Sequence, residues 1–213
     1  MSADDATRPL RARTRGPYKR SAETRASILA AATDVFTELG YRAGSMREIA
    51  RRCGVDQSTV LHHFPDKSAL LLELMTDRDR QADAVLAAQH ADAPEQIPQA
   101  ALALARHNAG TPGIIELYTL LAAESVTPDH PLGEFFRARI ARVRGAFEDW
   151  FTRMADAGLL RDGVDPAFAA ASFLALWEGA QLHWLIDPDG VDVVALLEDH
   201  LRLLLHEDVL PST

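Results

Sequence analysis

An all-α fold is predicted by three features of this 213-residue chain. Apolar residues recur at i, i+3, i+4 and i+7 in one segment after another, from Ile28 to Leu205. The segments are separated by glycine or proline, as at Gly40, Gly54, Gly110, Pro128, Pro131 and Gly158. No run alternates apolar and polar residues over the length of a strand, and no hairpin turn is signalled. With 47% hydrophobic and 25% charged residues the chain has an ordinary globular composition and enough apolar material for a core.

Residues 1–20 hold Arg8, Arg11, Arg13, Arg15, Lys19 and Arg20 against Asp4 and Asp5, and Pro9, Gly16 and Pro17 oppose helix. A basic, disordered arm is expected there. A first helix is expected from Ser21 to Leu39, with Ile28, Leu29, Ala32, Val35, Phe36 and Leu39 on its buried stripe and Gly40 ending it. Ser45 and Glu48 stand in the S-x-x-E relation of a capping box and start a second helix, whose Met46, Ile49, Ala50 and Cys53 make one apolar face. Gly54 ends that helix. Asp56 caps a third, which stops before Pro65. Two short helices joined by a glycine turn form a helix-turn-helix, a frame whose second helix suits a DNA major groove.

The remainder reads as helix throughout. Asp66 caps a long segment reaching about His90, and Pro94 and Pro98 open another that ends near Gly110. Thr111 and Pro112 start a third of these, broken by Pro128 and Pro131. Further helices are expected from about Leu132 to Ala157, from Pro166 to Ile186, and from Val191 to His206, about nine in all.

Charge divides the chain in the same place. Residues 1–67 hold 12 Lys/Arg against 8 Asp/Glu, while residues 68–213 hold 10 against 23, for an overall charge of −9. A basic third on an acidic body fits a DNA reader whose body phosphates repel. Three regions follow: an arm over 1–20, a helix-turn-helix unit over 21–67 and a helical body over 68–213. The single cysteine, Cys53, rules out an internal disulfide and reads as a small core residue. With no apolar run of membrane length and no secretion signal, a cytosolic location and no membrane partner are expected. No metalloprotease, phosphate-loop, G-x-S-x-G or paired-cysteine signature is present, so no enzyme activity and no cofactor are expected. Adjacent His62 and His63 point about 100° apart on a helix and do not make a metal site.

The segment from Ser21 to Leu72 resembles the TetR family of transcriptional regulators. Its pattern of a glycine turn, an aromatic-rich reading helix, H-F-x-x-K and a small-Leu pair is met by Gly54, His63, Phe64, Lys67, Ala69 and Leu70. The resemblance implies a homodimeric repressor on double-stranded, palindromic operator DNA, whose last two helices pair with those of a second copy and whose body releases DNA on binding a small molecule. It also implies that His63 and Lys67 hold phosphates. Where the family often has Tyr, this chain has Leu61, which cannot hydrogen-bond a base but can pack on a thymine methyl.

On the third helix, Gln57, Ser58, Leu61 and His62 share an arc of roughly 140°, with Val60 and Phe64 turned to the core. Gln57 is the expected base reader, through a bidentate contact to adenine, and Ser58 and Thr59 are small enough for close approach. Tyr41, Arg42 and Arg47 are further phosphate candidates; Arg13, Arg15, Lys19 and Arg20 are candidates for a minor groove. Because histidine titrates near neutrality, DNA affinity is expected to rise below about pH 6.5. In the body, Trp177, Gln181 and Trp184 lie at i, i+4 and i+7, and the last helix is apolar on more than one face, as a dimer requires. His107, Tyr118, Glu124, Phe147, Trp150 and Trp177 are the candidates to line an effector cavity, which aromatics with one acid would suit to an apolar or cationic ligand. A regulator without a small-molecule trigger, an activator and a helical protein-interaction module are the competing readings.

Overall fold

The computed structural model describes residues 17–89 and 92–210, with side chains from Arg20 onward except that of Arg42. Among these residues are nine α-helices: α1 (Pro17–Ala43), α2 (Met46–Cys53), α3 (Gln57–His63), α4 (Lys67–Ala88), α5 (Ile97–Ala109), α6 (Pro112–Glu124), α7 (Gly133–Asp156), α8 (Pro166–Ile186) and α9 (Val193–Leu204). A single 3₁₀ turn, Pro94–Gln96, leads into α5. Most of the expected arm lies outside the described residues, Arg13 and Arg15 included, as does the side chain of Lys19. Its boundary is corrected at one point. Helix α1 begins at Pro17, because proline lacks only an N–H that a first turn leaves unpaired, so Ser21 lies within the helix and does not cap it.

Gly40 does not end α1. It takes φ 74°, ψ 166°, a conformation essentially reserved for glycine, and the helix resumes after the kink as far as Ala43. This sets the Tyr41 ring 6.5 Å from that of Phe36. Ser45 then caps α2, its Oγ accepting from the Glu48 N–H at 3.2 Å. The reciprocal half of the capping box is not made, because two arginines claim the Glu48 carboxylate with stronger, charge-assisted bonds. Gly54 closes α2 in the left-handed region, φ 68°, ψ 32°.

Two apolar cores result. The first gathers Ile28, Ala32, Val35 and Phe36 of α1, Ile49 and Ala50 of α2, Val60 and Phe64 around α3, and Leu70, Leu71, Leu74 and Met75 of α4. It continues into the body through Leu117 and Leu121 of α6 and Phe136 of α7. The second lies between α5, α7, α8 and α9, around Phe147, Phe151, Phe173, Trp177, Leu197 and Leu201. Helix α4 runs from one core to the other. The last helix is shorter than expected: Leu205 leaves it to form an isolated antiparallel bridge with Leu160. The Arg161 N–H donates to the Leu204 carbonyl at 2.9 Å and the His206 N–H to that of Leu159 at 3.0 Å. No described helix is long and apolar enough to cross a membrane.

A Cβ at either turn glycine meets open space, so any loss of stability is conformational. Gly40→Ala is expected to destabilise by about 1–3 kcal/mol and Gly54→Ala by about 1–2 kcal/mol, read from chemical denaturation.

Candidate DNA-reading surface and interior cavity

Helix α3 is held by its buried side, where Val60 is fully buried and Phe64 nearly so. Gln57, Ser58, Leu61 and His62 are therefore exposed together, and Thr59 is half-buried beside them. Arg47 stands exposed on α2 with no ion pair among the described residues. Its neighbours are engaged. Arg52 makes a bidentate bond to Glu38 of α1, at 2.7 and 2.6 Å, and Arg51 a second to Glu48, at 2.8 and 2.6 Å. Arg51 and, after it, Arg52 hold the Glu48 carboxyl down at about 2. This lattice fixes α2 against α1 and leaves α3 to face outward.

Two expected phosphate contacts are placed differently. Lys67 turns inward: its ammonium donates to the Tyr41 carbonyl and lies 4.2 Å from the centre of the Tyr41 ring. Burial lowers its pKa, with Glu124 acting the other way. The reason is the kink at Gly40, which presents a carbonyl and an aromatic face where phosphate was expected. Lys67 thus ties the start of α4 to the end of α1. Half-buried His63 has its pKa lowered by burial first, then by His62 and Arg25. Both effects disfavour its protonated form. The Tyr41 ring lies 6.1 Å from that of His130, between α6 and α7, so it faces the body. The side chain of Arg42 is outside the described residues. Cys53 is half-buried, its Sγ 3.6 Å from the Ser27 carbonyl, and burial pushes the thiol up.

A cavity of about 110 Å³ lies between α4, α5, α6, α7 and α8. Of the six expected effector residues it gathers Tyr118, Phe147, Trp150 and Trp177. Phe147 and Trp150 stack with ring centres 5.2 Å apart, and Trp177 lies 6.1 Å from Phe147. His107 is not in the lining, because the next residue of α5, Asn108, is turned by 100° and takes that place. Glu124 is not there either. It ends α6 about 9 Å beyond Tyr118 along the axis, with its carboxylate 4.0 Å from His130 Nε2.

The polar wall of the cavity was missed. Asp79 of α4 accepts from Arg139 Nε at 2.9 Å and Arg142 Nη2 at 2.5 Å, both on α7, and from its neighbour Arg78 at 3.3 Å. The Tyr118 hydroxyl donates to Glu178 Oε1 at 3.1 Å and accepts from Arg139 Nη1 at 2.8 Å, and burial above all pushes its pKa up to about 12. One signal was present: Arg78 and Asp79 interrupt the stripe Leu71, Met75, Ala82, Leu86 where a helix facing a core should be apolar. Trp177 and Gln181, both buried, belong to this interior. Among the described residues no group of three His, Cys, Asp or Glu is placed to hold a metal ion.

A reading helix presented outward on a helix-turn-helix, backed by a helical body with a cavity and carrying no catalytic constellation, defines a DNA-binding transcription regulator. The family model for bacterial regulatory proteins of the tetR family matches residues 28–74. That for the C-terminal part of BetI-type transcriptional repressors matches residues 93–206. The HTH-type transcriptional repressor Rv3405c of Mycobacterium tuberculosis is 38% identical over 211 residues, covering 95% of each chain. NalD, the secondary repressor of the MexAB-OprM multidrug efflux pump in Pseudomonas aeruginosa, has a TM-score of 0.70 at 25% identity, over 88% of this chain and 98% of that one. The complex of SmeT from Stenotrophomonas maltophilia with triclosan shares the fold, with a TM-score of 0.74 at 20% identity over 90% and 98% of the two chains. The chain belongs to the TetR family of bacterial transcriptional regulators.

The low pKa of Glu48 gives a pH test with a defined sign. Its contribution to stability is complete above the unfolded value near 4.5 and is lost as pH falls through about 2. The gap in melting temperature between the wild type and Glu48→Gln should therefore be full at pH 7 and close progressively between pH 4.5 and 2.

Proposed function

We propose that two copies of the chain bind a palindromic operator as a repressor, and that a small molecule entering the cavity releases them. The observation that carries this reading is the course of α4. Lys67, at its foot, is bonded to the end of α1, and Asp79, twelve residues on, is bonded to α7 inside the cavity. A ligand that reorganises the Asp79 cluster acts on the same rigid helix that seats the reading unit, roughly 18 Å away along the axis. A second connection runs beside it, from Tyr118 along α6 to His130 and the Tyr41 ring. The small molecule held by SmeT supports the comparison.

The second copy is argued from α8. With Phe173, Trp177, Ala180 and Gln181 turned inward, the opposite stripe of Phe168, Ala171, Ala175, Gly179, Leu182 and Ile186 is exposed. Phe168 is 66% and Ile186 76% exposed, and Leu203 of α9 is 72% exposed. The small residues mid-stripe allow two such helices to approach closely. One reading helix covers half a site, so a symmetric pair also satisfies the DNA geometry.

In gel-shift assays on the DNA upstream of its own coding sequence, the wild type should retard the fragment at roughly nanomolar concentration. No retardation would refute the proposal. Gln57→Ala should lose about 1–3 kcal/mol of discrimination at one base of each half-site. Arg47→Ala should weaken all sequences alike and reduce the salt slope by about 1. Ile186→Asp should yield a folded monomer by analytical ultracentrifugation that no longer retards the full site; a dimeric Ile186→Asp would remove α8 from the interface.

A further inference from the structure

The cavity wall carries more hydrogen-bond donors than acceptors. Three guanidiniums, those of Arg78, Arg139 and Arg142, converge on the single carboxylate of Asp79. Glu178 accepts the Tyr118 hydroxyl at Oε1. Asp83 also lines the cavity but is exposed, where solvent screens its charge. Two lining residues each retain a buried nitrogen with no partner among the described residues, Arg78 Nε and Gln181 Nε2. Gln181 is only 3% exposed, and leaving a donor unpaired at such a site is unfavourable. Burial, and after it the charge of Arg139, push the Arg78 guanidinium down to about 10.

The other wall is flat and apolar, made by the stacked Phe147 and Trp150 with Trp177 beside them. The free volume of about 110 Å³ is close to the roughly 150 Å³ that accepts one benzene. From these unpaired nitrogens, on two residues that line the same cavity as the aromatic wall, we infer that the ligand is a one-ring aromatic carboxylate, its ring against Phe147, Trp150 and Trp177 and its oxygens on Arg78 and Gln181. An ammonium group would bring further donors to a wall that already has too many, so the cationic ligand expected from sequence is disfavoured here. A neutral ring would leave both nitrogens unpaired. The inference rests on the cavity being the effector site.

Benzoate, methyl benzoate and benzylammonium serve as anionic, neutral and cationic probes of one size. Each is titrated into the full chain without DNA, by calorimetry and by tryptophan fluorescence, and separately into the operator complex. Benzoate should bind once per subunit, about tenfold or more tighter than either of the others. Gln181→Leu should weaken benzoate severalfold and leave methyl benzoate unchanged, with an unaltered melting temperature. Arg78→Met should do the same more strongly. If that variant fails to fold, Arg142→Gln, at a half-exposed side chain, takes its place. Equal affinities, a preference for the neutral or cationic probe, no binding of benzoate at millimolar concentration, or unchanged benzoate binding in Gln181→Leu and the folded arginine variant would each overturn the inference. If benzoate binds as described but the chain retards no DNA, the repressor reading fails and the ligand class stands. If DNA is bound and is released only by the neutral or cationic probe, the repressor reading stands and the ligand class falls.

Discussion

A carboxylate removed from water must be met by positive charge or by donors, and at Asp79 this requirement joins parts of the chain that are far apart in sequence. Asp79 is buried on α4, and two of its partners, Arg139 and Arg142, come from α7 sixty residues later. Arg139 in turn places Tyr118 of α6 and, through its hydroxyl, Glu178 of α8. Four helices are thereby held around a space that none of them fills. Removing Asp79 would leave the buried guanidiniums of Arg78 and Arg139 without compensation, which makes the cluster sensitive to whatever enters the space. The cavity and the polar network belong to one arrangement.

Much of the fold was legible because helix ends are written locally. Ser45, Gly54, Asp66, Thr111 with Pro112, and Asp165 with Pro166 mark helix ends from the chemistry of one or two residues each. The outward face of α3 was legible for the same reason, since Val60 and Phe64 set its rotation. What could not be read were contacts made across the sequence. Lys67 has the composition of a phosphate ligand, and only the kink at Gly40 reveals the carbonyl and ring it meets instead. The His63 pKa is lowered by burial and by a neighbourhood that includes Arg25, nearly forty residues away.

The cavity shows the same division. Its aromatic side was found because Phe147, Trp150 and Trp177 are conspicuous in any reading, although His107 and Glu124 were drawn in for their chemistry and not for their position. Its arginines went unnoticed because a charged residue on a long helix ordinarily faces water. Helix α8 posed a different difficulty. It is apolar almost all round, so periodicity gave no means of choosing its inner side. Only the packing of α7 and α9 against it separates the side that forms the core from the side left open.

The pairing of Leu160 with Leu205 bears on that open side. By stitching the exit of α9 to the turn ahead of α8, it pins the two helices in one register and prevents either from sliding along the other. Two rigidly aligned helices offer an associating molecule a shape that is already set, so little conformational freedom remains to be lost at the moment of contact. A molecule that covered this side would draw its free energy from the apolar area buried, with less of it lost to ordering the surface.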